Sequence, residues 1–324
     1  VNFFLVSWCL RGRGHEVLLI TMCTIGAVYN KNGNVLAFKT VDIRGKWRLP
    51  DKPVMQKGTR YQYLRFATNT NLRKPGLWAG VNEKGVILLG ADALSIKAFP
   101  TAPIQRGKRK GKEPARLDIR SGGYGDIKDV MVTYEKVMGT AATAKEGVNL
   151  FIQEYQKKRL GMDGDILMLV DRQDAVAIEY SFNEWGLQFF TYNNSIPIEK
   201  FYSGYKGEGF CLVRTNFFLV LRHLRYMPQE NTLHLSASKR YERALELLSE
   251  TTVNTTVDNL KELCCDHYPE PGGMSICRHG GENESKTHGS VIIELAKNKI
   301  ETHYNIGANP CESDYQVKSM RITK

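Results

Sequence analysis

Residues 20–42 read ITMCTIGAVYNKNGNVLAFKTVD, and this stretch decides the fold prediction. Two apolar, strand-like runs flank the polar turn NKNGN, whose asparagines and glycine tolerate the positive φ that a tight hairpin demands. The first run begins at Met22 and Cys23, and the second ends at Asp42. The segment therefore predicts an antiparallel hairpin that opens on a cysteine.

The rest of the chain groups its strands and helices instead of alternating them. Apolar runs around turns predict further strands, and apolar residues at helical spacing predict helices. The strands lie at 78–94, 165–181, 186–193 and 289–306, and the helices at 126–139, 144–160, 238–250 and 257–267. This grouping is typical of an α+β fold. We predict two antiparallel sheets packed face to face, with helices on their outer faces.

The composition is that of a globular chain. Its 324 residues are 42% hydrophobic, which is enough for one large core or two smaller ones. No run of about 18 apolar residues occurs, so we predict no transmembrane helix. The formal charge of +11 is dispersed except for a dense run at 105–116, QRGKRKGKEPAR. We interpret this run as a solvated loop, because no nucleic-acid-binding motif accompanies it.

The cysteines are odd in number and irregular in spacing, which in a chain of this length favours reduced thiols over a disulfide framework. They lie at positions 9, 23, 211, 264, 265, 277 and 311. The segments CCDH, ending at His267, and SICRH, ending at His279, bring cysteine and histidine together without the paired CxxC spacing of many zinc sites. We therefore predict neither a metal site nor a cofactor.

Residues 1–22 are predicted to be a propeptide or a mis-called upstream extension, and residues 23–324 a single domain. The apolar stretches of the first segment are short and are interrupted by RGRGHE, and no small-residue cleavage site precedes Met22. The segment is therefore a poor secretory signal, and the expected location is cytoplasmic. Removal of Met22 would make Cys23 the mature N-terminus, so the bond between these two residues is the predicted processing site.

An N-terminal cysteine would combine a nucleophile and a base in one residue. A free α-amine has a pKa of about 7.7–8.0, so near neutral pH it can take the thiol proton and generate the nucleophilic thiolate. A peptide bond on the Cys23 nitrogen removes this base. The alternative is that Cys23 is only a small buried hydrophobic residue.

An ordered set of segments resembles the choloylglycine hydrolases and the related penicillin (isopenicillin N) acyltransferases. These segments are MCT at the start of the first strand, LAFKTVD, GVNEKGV and VRTNFF, while SICRHG, THGSVIIEL and GANPC are more similar to the acyltransferase branch. The resemblance runs from Cys23 nearly to the C-terminus. It implies an N-terminal-nucleophile (Ntn) hydrolase with a four-layer αββα sandwich, a linear-amide substrate and the capacity to form homo-oligomers.

The resemblance assigns roles residue by residue. Cys23 matches the nucleophile, and Asp42 matches an aspartate that orients and tunes its amine, because a carboxylate favours the ammonium form. Lys39 stands where the family usually has arginine, and it keeps the charge but lacks the planar fork. Asn216, in VRTNFF, matches an asparagine of the oxyanion hole. Arg240, in SKRYER, matches an arginine on a helix near the active site.

Three further residues have open roles. Asp92, in LLGADAL, aligns with an asparagine of the family's site. An ionised aspartate can only accept a hydrogen bond, so either Asp92 is protonated or a backbone N–H takes its place in the oxyanion hole. Asn82, in NEKG, is a second candidate for the oxyanion hole, with a hairpin-turn role as the alternative. Arg243, one turn along from Arg240, is the alternative match for the helix arginine, but it is expected to form a surface ion pair with Glu242 or Glu246.

The expected activity is hydrolysis of a linear, non-peptide amide bond in an acyl-amine or acyl-amino acid, through a thioester on Cys23. The expected partner is this small molecule, with no nucleic acid and no membrane span. Three alternatives stay open. They are an acyltransferase of the acyl-CoA:6-aminopenicillanate type, a non-catalytic protein of the same fold that binds an anionic partner, and a peptidase whose one substrate is its own bond before Cys23.

Overall fold

The computed structural model describes residues 22–44, 52–68, 76–93, 127–158, 165–181, 184–191, 210–222, 232–280 and 285–323. The segment 1–21 and the basic run at 105–116 lie outside the described residues. The interpretation of both segments, including the division of the chain at Cys23, therefore stays a prediction. Within the described ranges, no helix combines the length and the apolar character needed to cross a bilayer.

The described residues form thirteen strands and four α-helices. In chain order they are β1 (Met22–Tyr29), β2 (Val35–Arg44), β3 (Val54–Lys57), β4 (Gln62–Thr68), β5 (Gly76–Asn82), β6 (Ile87–Asp92), α1 (Ile127–Thr140), α2 (Ala144–Lys158), β7 (Asp165–Val170), β8 (Asp174–Ser181), β9 (Glu184–Thr191), β10 (Phe210–Arg214), α3 (Thr232–Thr251), α4 (Val257–Cys264), β11 (Ser285–Ala296), β12 (Lys299–Ile306) and β13 (Gln316–Arg321). A 3₁₀ turn at Thr252–Asn254 joins α3 to the segment before α4.

The strands form two antiparallel sheets, each covered by two helices. One sheet has six strands in the order β10–β1–β2–β11–β12–β13, and the other has seven in the order β3–β4–β5–β6–β7–β8–β9. Helices α1 and α2 pack on the seven-stranded sheet, and α3 and α4 pack on the six-stranded sheet. The predicted α+β fold, a four-layer αββα sandwich, is confirmed.

Apolar side chains fill the space between the two sheets. Ile25 and Ile293 from the six-stranded sheet lie in one buried cluster with Leu89 and Met168 from the seven-stranded sheet. Burying a side chain of this kind contributes about 1.5–3 kcal/mol. Many such contributions hold the sheets face to face, and any polar side chain in this layer must have a compensating partner.

The hairpin predicted at 20–42 is formed by β1 and β2. Its turn contains Gly33 at φ +74°, a conformation that glycine adopts at low cost. The register pairs Cys23 with Val41 and Met22 with Asp42. Because side chains alternate along a strand, Cys23 faces the layer between the sheets, whereas Asp42 faces the helix layer.

The sequence pattern does not predict β3, β4, β10 and β13. β3 is an edge strand whose four residues are all exposed, and β13 is an edge strand that is largely exposed, so neither has a buried apolar face. β10 is buried but has only five residues. Helix α3 begins at Thr232, six residues before the predicted start at 238.

Candidate active site

Cys23 is the second residue of β1, and its side chain is buried between the sheets. Lys39 Nζ, from β2, donates to Cys23 Sγ at 2.9 Å. Lys39 also donates to the backbone carbonyl of Gly90, on β6 of the opposite sheet, and its Nζ lies 5.5 Å from the centre of the Trp78 ring. A lysine that is only 1% exposed is thus held with its charge against the thiol.

Burial and charge act in opposite directions on this thiol. Burial raises the pKa of Cys23 above its ordinary value, the Lys39 ammonium lowers it, and the carboxylates of Asp92 and Asp42 raise it. Because burial has the largest effect, the thiol is protonated at neutral pH while Met22 is attached. A protonated thiol is a weak nucleophile.

Asn216 holds the backbone nitrogen of Cys23. It follows β10, which pairs with β1, and so it reaches the start of β1 from the neighbouring strand. Asn216 Oδ1 accepts from the Cys23 N–H at 2.9 Å and from Arg240 Nη2 at 2.8 Å. Asn216 Nδ2 donates to the backbone carbonyl of Asp92 at 2.5 Å. The amide of Asn216 therefore bridges the two sheets at Cys23.

The segment that carries Asn216 is fixed on both sides. The Glu179 carboxylate, on β8, accepts from three consecutive backbone N–H groups at 219–221, at 2.7–3.0 Å. Glu179 Oε1 also lies 3.3 Å from Arg214 Nε in a fully buried ion pair. Thr215 Oγ1 donates to a backbone carbonyl of α3 at 2.8 Å. These contacts hold the Asn216 amide in place.

Arg240, on α3, is fully buried and contacts the backbone of Cys23. Its Nη1 donates to the Cys23 carbonyl oxygen at 2.7 Å and to Thr24 Oγ1 at 3.0 Å. Burial lowers the pKa of Arg240 to about 10, and the Asp42 carboxylate opposes this shift. Arg240 is therefore still a cation at neutral pH, and it positions Cys23 and Asn216 relative to the helix layer.

Asp42 lies on the helix side of β2. Its Oδ1 accepts from Thr287 Oγ1 at 2.7 Å, and its Oδ2 lies 3.7 Å from Arg278 Nη1. Within the described part of the chain, this buried Oδ2 makes no hydrogen bond. Burial raises the pKa of Asp42, while the cations of Arg278 and Arg240 and the Thr287 hydroxyl lower it. Asp42, which lies opposite Met22 in the strand register, can therefore accept a further hydrogen bond at Oδ2.

Asn82 lies in the hairpin turn between β5 and β6 and is not an oxyanion donor in this structure. Its Oδ1 accepts from the backbone N–H groups of Lys84 and Val86, at 3.1 and 3.0 Å. Its Nδ2 donates to the carbonyls of Met138 and Ala141, at 3.0 and 2.7 Å. Both amide hydrogens are therefore used to attach α1 and the segment after it. The prediction of Asn82 as an oxyanion residue is corrected in favour of its turn alternative.

Arg243 lies at the surface of α3, as expected. Its Nη1 lies 2.9 Å from Glu246 Oε2, which is one of the two predicted partners. Its Nη2 lies 2.8 Å from Asp266, a partner that the helix spacing does not indicate because it lies beyond α4.

Sequence reasoning missed Arg278 and Thr287, which contact the two oxygens of Asp42. The signal was present in the segments SICRHG and THGSVIIEL, which carry the family resemblance without a role for either residue.

Side chains that could bind a metal ion converge in two groups among the described residues, and neither group includes Cys23. One group consists of His267, Cys277, His279 and Cys311, and the other of Glu294, Glu301 and His303.

Comparison with known proteins gives matches among solved structures. No protein-family model matches the chain, and no curated protein matches it. The chain is similar to a mutant of the conjugated bile acid hydrolase from Clostridium perfringens, with 14% identity, coverage of 93% of this chain and 92% of that chain, and a TM-score of 0.47. It is also similar to the Caenorhabditis elegans N-acylethanolamine-hydrolyzing acid amidase (NAAA) ortholog, with 15% identity, coverage of 84% and 92%, and a TM-score of 0.46. The two matched proteins are named for the hydrolysis of conjugated bile acids and of N-acylethanolamines.

Proposed function

We propose that the mature chain begins at Cys23 and is an N-terminal-cysteine amidohydrolase that cleaves linear, non-peptide C–N amide bonds. One observation carries this proposal: three buried polar side chains hold three different atoms of Cys23. Lys39 donates to Sγ, Asn216 accepts from the backbone N–H, and Arg240 donates to the carbonyl oxygen. Any buried residue needs partners for its backbone N–H and C=O. A cysteine that served only packing would not need a buried ammonium at its sulfur, because burying that charge is costly.

Removal of Met22 supplies the base. The nitrogen of Cys23 then becomes an α-amine at the position where Asn216 Oδ1 accepts a hydrogen bond. Asp42 lies directly opposite Met22 in the register, and its Oδ2 makes no hydrogen bond within the described residues. Its carboxylate therefore balances the ammonium form of the amine during the reaction.

The first half of the reaction forms a thioester. The Cys23 amine takes the thiol proton, the Lys39 ammonium stabilises the thiolate, and the sulfur attacks the amide carbonyl carbon. The oxyanion accepts from Asn216 Nδ2 and from a backbone N–H, and such a donor is worth about 10²–10³ in rate. When the tetrahedral species collapses, the C–N bond breaks and the leaving amine takes the proton from the α-ammonium.

Water completes the cycle. The Cys23 amine removes a proton from water, the resulting hydroxide attacks the thioester, and collapse releases a carboxylic acid and returns the proton to the sulfur. Acyl transfer would differ only in this second half of the reaction, because an amine instead of water would attack the thioester. Hydrolysis needs no second substrate site, and it is therefore the activity we assign.

The test begins with the full-length chain. Intact mass and N-terminal sequencing show whether the purified protein starts at Cys23. The protein is then incubated with N-acyl amino acids, bile-salt conjugates, acyl-amines and β-lactams, and the release of free amine is measured. A start at Cys23 together with amine release from one class supports the proposal. A chain that keeps Met22, or a mature chain that is inert toward the whole panel, would overturn it in favour of the non-catalytic alternative.

A further inference from the structure

Two cysteines and two histidines, from three segments of the chain, form a four-ligand cluster outside the Cys23 site. His267 follows α4, Cys277 and His279 precede β11, and Cys311 lies between β12 and β13. One potential ligand atom from each residue lies within 4.8 Å of all the others. Segments that are distant in sequence thus bring two sulfurs and two imidazole nitrogens to one point.

Four of the six separations within the cluster are close to the edges of a tetrahedron around a metal ion, and the other two are no longer than 4.8 Å. The two histidine Nε2 atoms are 2.9 Å apart, and the two cysteine Sγ atoms are 3.6 Å apart. His279 Nε2 lies 3.2 Å from Cys311 Sγ and 3.7 Å from Cys277 Sγ. Zinc bonds of about 2.05 Å to nitrogen and about 2.3 Å to sulfur give tetrahedral edges of about 3.3 Å (N–N), 3.6 Å (N–S) and 3.8 Å (S–S). Each observed edge is within about 0.5 Å of these values.

Hydrogen bonds alone do not account for this convergence. The two imidazole nitrogens can share one hydrogen bond, but a thiol is a weak donor and a weak acceptor, so the contact between Cys277 Sγ and Cys311 Sγ contributes little by itself. An ion bound to all four atoms would account for every short contact at once.

The surroundings of His279 also suit a metal ligand. Its Nδ1 lies 3.1 Å from the Asn309 side-chain amide and 3.5 Å from Glu312 Oε1. Asn309 Oδ1 is buried and makes no hydrogen bond within the described residues. Rotation of this amide by 180° would bring Oδ1 to the His279 Nδ1–H. A histidine that donates from Nδ1 presents the lone pair of Nε2 to a metal, the arrangement that zinc-binding histidines usually have.

We propose that the four-ligand cluster binds one structural Zn²⁺. Thiolate and imidazole are the ligands that zinc prefers in tetrahedral sites, and four protein ligands leave no position for a substrate. Binding releases the two thiol protons to solvent, and the two thiolates then balance the charge of the ion. The sequence predicted no metal, because the ligands span residues 267 to 311 without a CxxC pair.

The ion also anchors Arg278, which lies between two of its ligands. The Arg278 backbone N–H donates to Thr287 Oγ1 at 2.8 Å, and this hydroxyl donates to Asp42 Oδ1. The Arg278 guanidinium faces Asp42 Oδ2. Zinc binding thus fixes the backbone of a residue that holds Asp42, while the zinc site itself does not depend on the chemistry proposed for Cys23.

The test measures zinc in the full-length protein, purified without a metal-affinity step. Mass spectrometry of the metal content should find about one zinc per chain. Cys277→Ser and Cys311→Ser should each reduce the zinc content to a small fraction of this value. Cys265→Ser is the matched control, because Cys265 is a neighbouring half-buried thiol outside the cluster, and it should keep the zinc. Replacement of zinc by Co²⁺ in the wild-type protein should give the visible absorption of a tetrahedral thiolate site, a readout that does not depend on the variants folding.

Several results would overturn the assignment. A wild-type protein without zinc that gives no such cobalt spectrum has no site. An intact mass showing a disulfide between Cys277 and Cys311 in freshly purified protein would replace the metal with a covalent link. Zinc retained in Cys277→Ser, or lost in Cys265→Ser, would show that a different set of side chains binds the ion.

Discussion

The Cys23 site and the four-ligand cluster surround sulfur with different neighbours. At Cys23, one sulfur lies between two sheets, and the ammonium of Lys39 is fixed against it. In the cluster, buried Cys277 and exposed Cys311 lie beside two imidazole rings from separate segments. A lysine ammonium that is fixed beside a sulfur stabilises its thiolate form. Thiol and imidazole groups whose lone pairs converge on one point suit a metal ion instead. The neighbours of each cysteine, rather than the cysteine itself, determine its chemistry.

The causes of the pKa shifts differ in the same way. Burial raises the pKa of both thiols, and at Cys23 the Lys39 ammonium opposes this shift. At Cys277 the hydrogen bond to Cys311 adds to the effect of burial. The two thiols therefore differ in the group that acts on their pKa, which is an ammonium at Cys23 and a second thiol at Cys277. In the proposed mechanism, the α-amine of Cys23 is the base that takes the proton of its own thiol.

The largest expected effect is that of Cys23→Ala. Loss of the nucleophile should reduce amide hydrolysis by about 10⁶-fold, to background. The thermal midpoint should change little, because only one sulfur atom is removed from the buried layer. Amine release and thermal unfolding measure the two quantities. Cys211→Ala, on the adjacent strand β10, is the matched control and should retain turnover. Equal losses in both variants would remove the distinction between these thiols.

Asn216 comes next, and two variants separate its donor role from its acceptor role. Asn216→Ala should lower turnover by about 10²–10³, the value typical of an oxyanion donor. Asn216→Asp keeps an acceptor for the Cys23 nitrogen and for Arg240 but loses the Nδ2 donor, so a similar loss is expected. Near-normal turnover in Asn216→Asp would show that the residue acts as an acceptor and that the oxyanion assignment is wrong.

The part of the site that lies on the β1–β2 hairpin, Cys23, Lys39 and Asp42, could be predicted from the sequence. The turn NKNGN fixes the register of β1 against β2, and this register sets Asp42 opposite Met22. Alternation along the strands then places Cys23 and Lys39 on the same face of the sheet. Lys39, which contacts the sulfur, and Asp42, which lies opposite Met22, are therefore both encoded within about twenty residues of the hairpin.

The rest of the site depends on long-range packing. Asn216 and Arg240 lie 193 and 217 residues from Cys23, so no local pattern places them, and only the family resemblance indicated them. The four-ligand cluster is still harder to predict from the sequence. Cys311 lies 34 residues beyond Cys277, in a turn whose position is set by β12 and β13. Arg278 gains its role only because the strand β11 that follows it pairs with β2.

Lys39→Met should have a moderate effect and a characteristic pH dependence. The variant lacks the cation that lowers the pKa of Cys23, so the thiolate should appear at higher pH than in the wild type. A hydrogen bond to a charged group is worth about 1.5–3 kcal/mol, which corresponds to roughly 10- to 100-fold in rate. The pH profile of iodoacetamide labelling of Cys23 in the mature protein measures the shift.

Two controls are built into this labelling experiment. Lys39→Arg keeps the charge, so its profile should lie close to that of the wild type. Labelling of Cys265, a half-buried thiol outside the four-ligand cluster, should not respond to either substitution in the same samples. A Cys23 profile that stays in place, or moves to lower pH in Lys39→Met, would contradict the assigned role of the ammonium.

Removal of zinc should have the smallest effect on rate and a large effect on stability. Loss of a tightly bound ion from the native state should lower the thermal midpoint by about 10 °C. Turnover should fall by less than about tenfold, because Arg278 keeps its hydrogen bond to Thr287 and its charge near Asp42. Chelation should also expose Cys311 to alkylation while the labelling of Cys23 stays constant. If chelation abolished turnover as fully as Cys23→Ala while the midpoint hardly moved, the ion would belong to the chemistry, and the two regions would be one site.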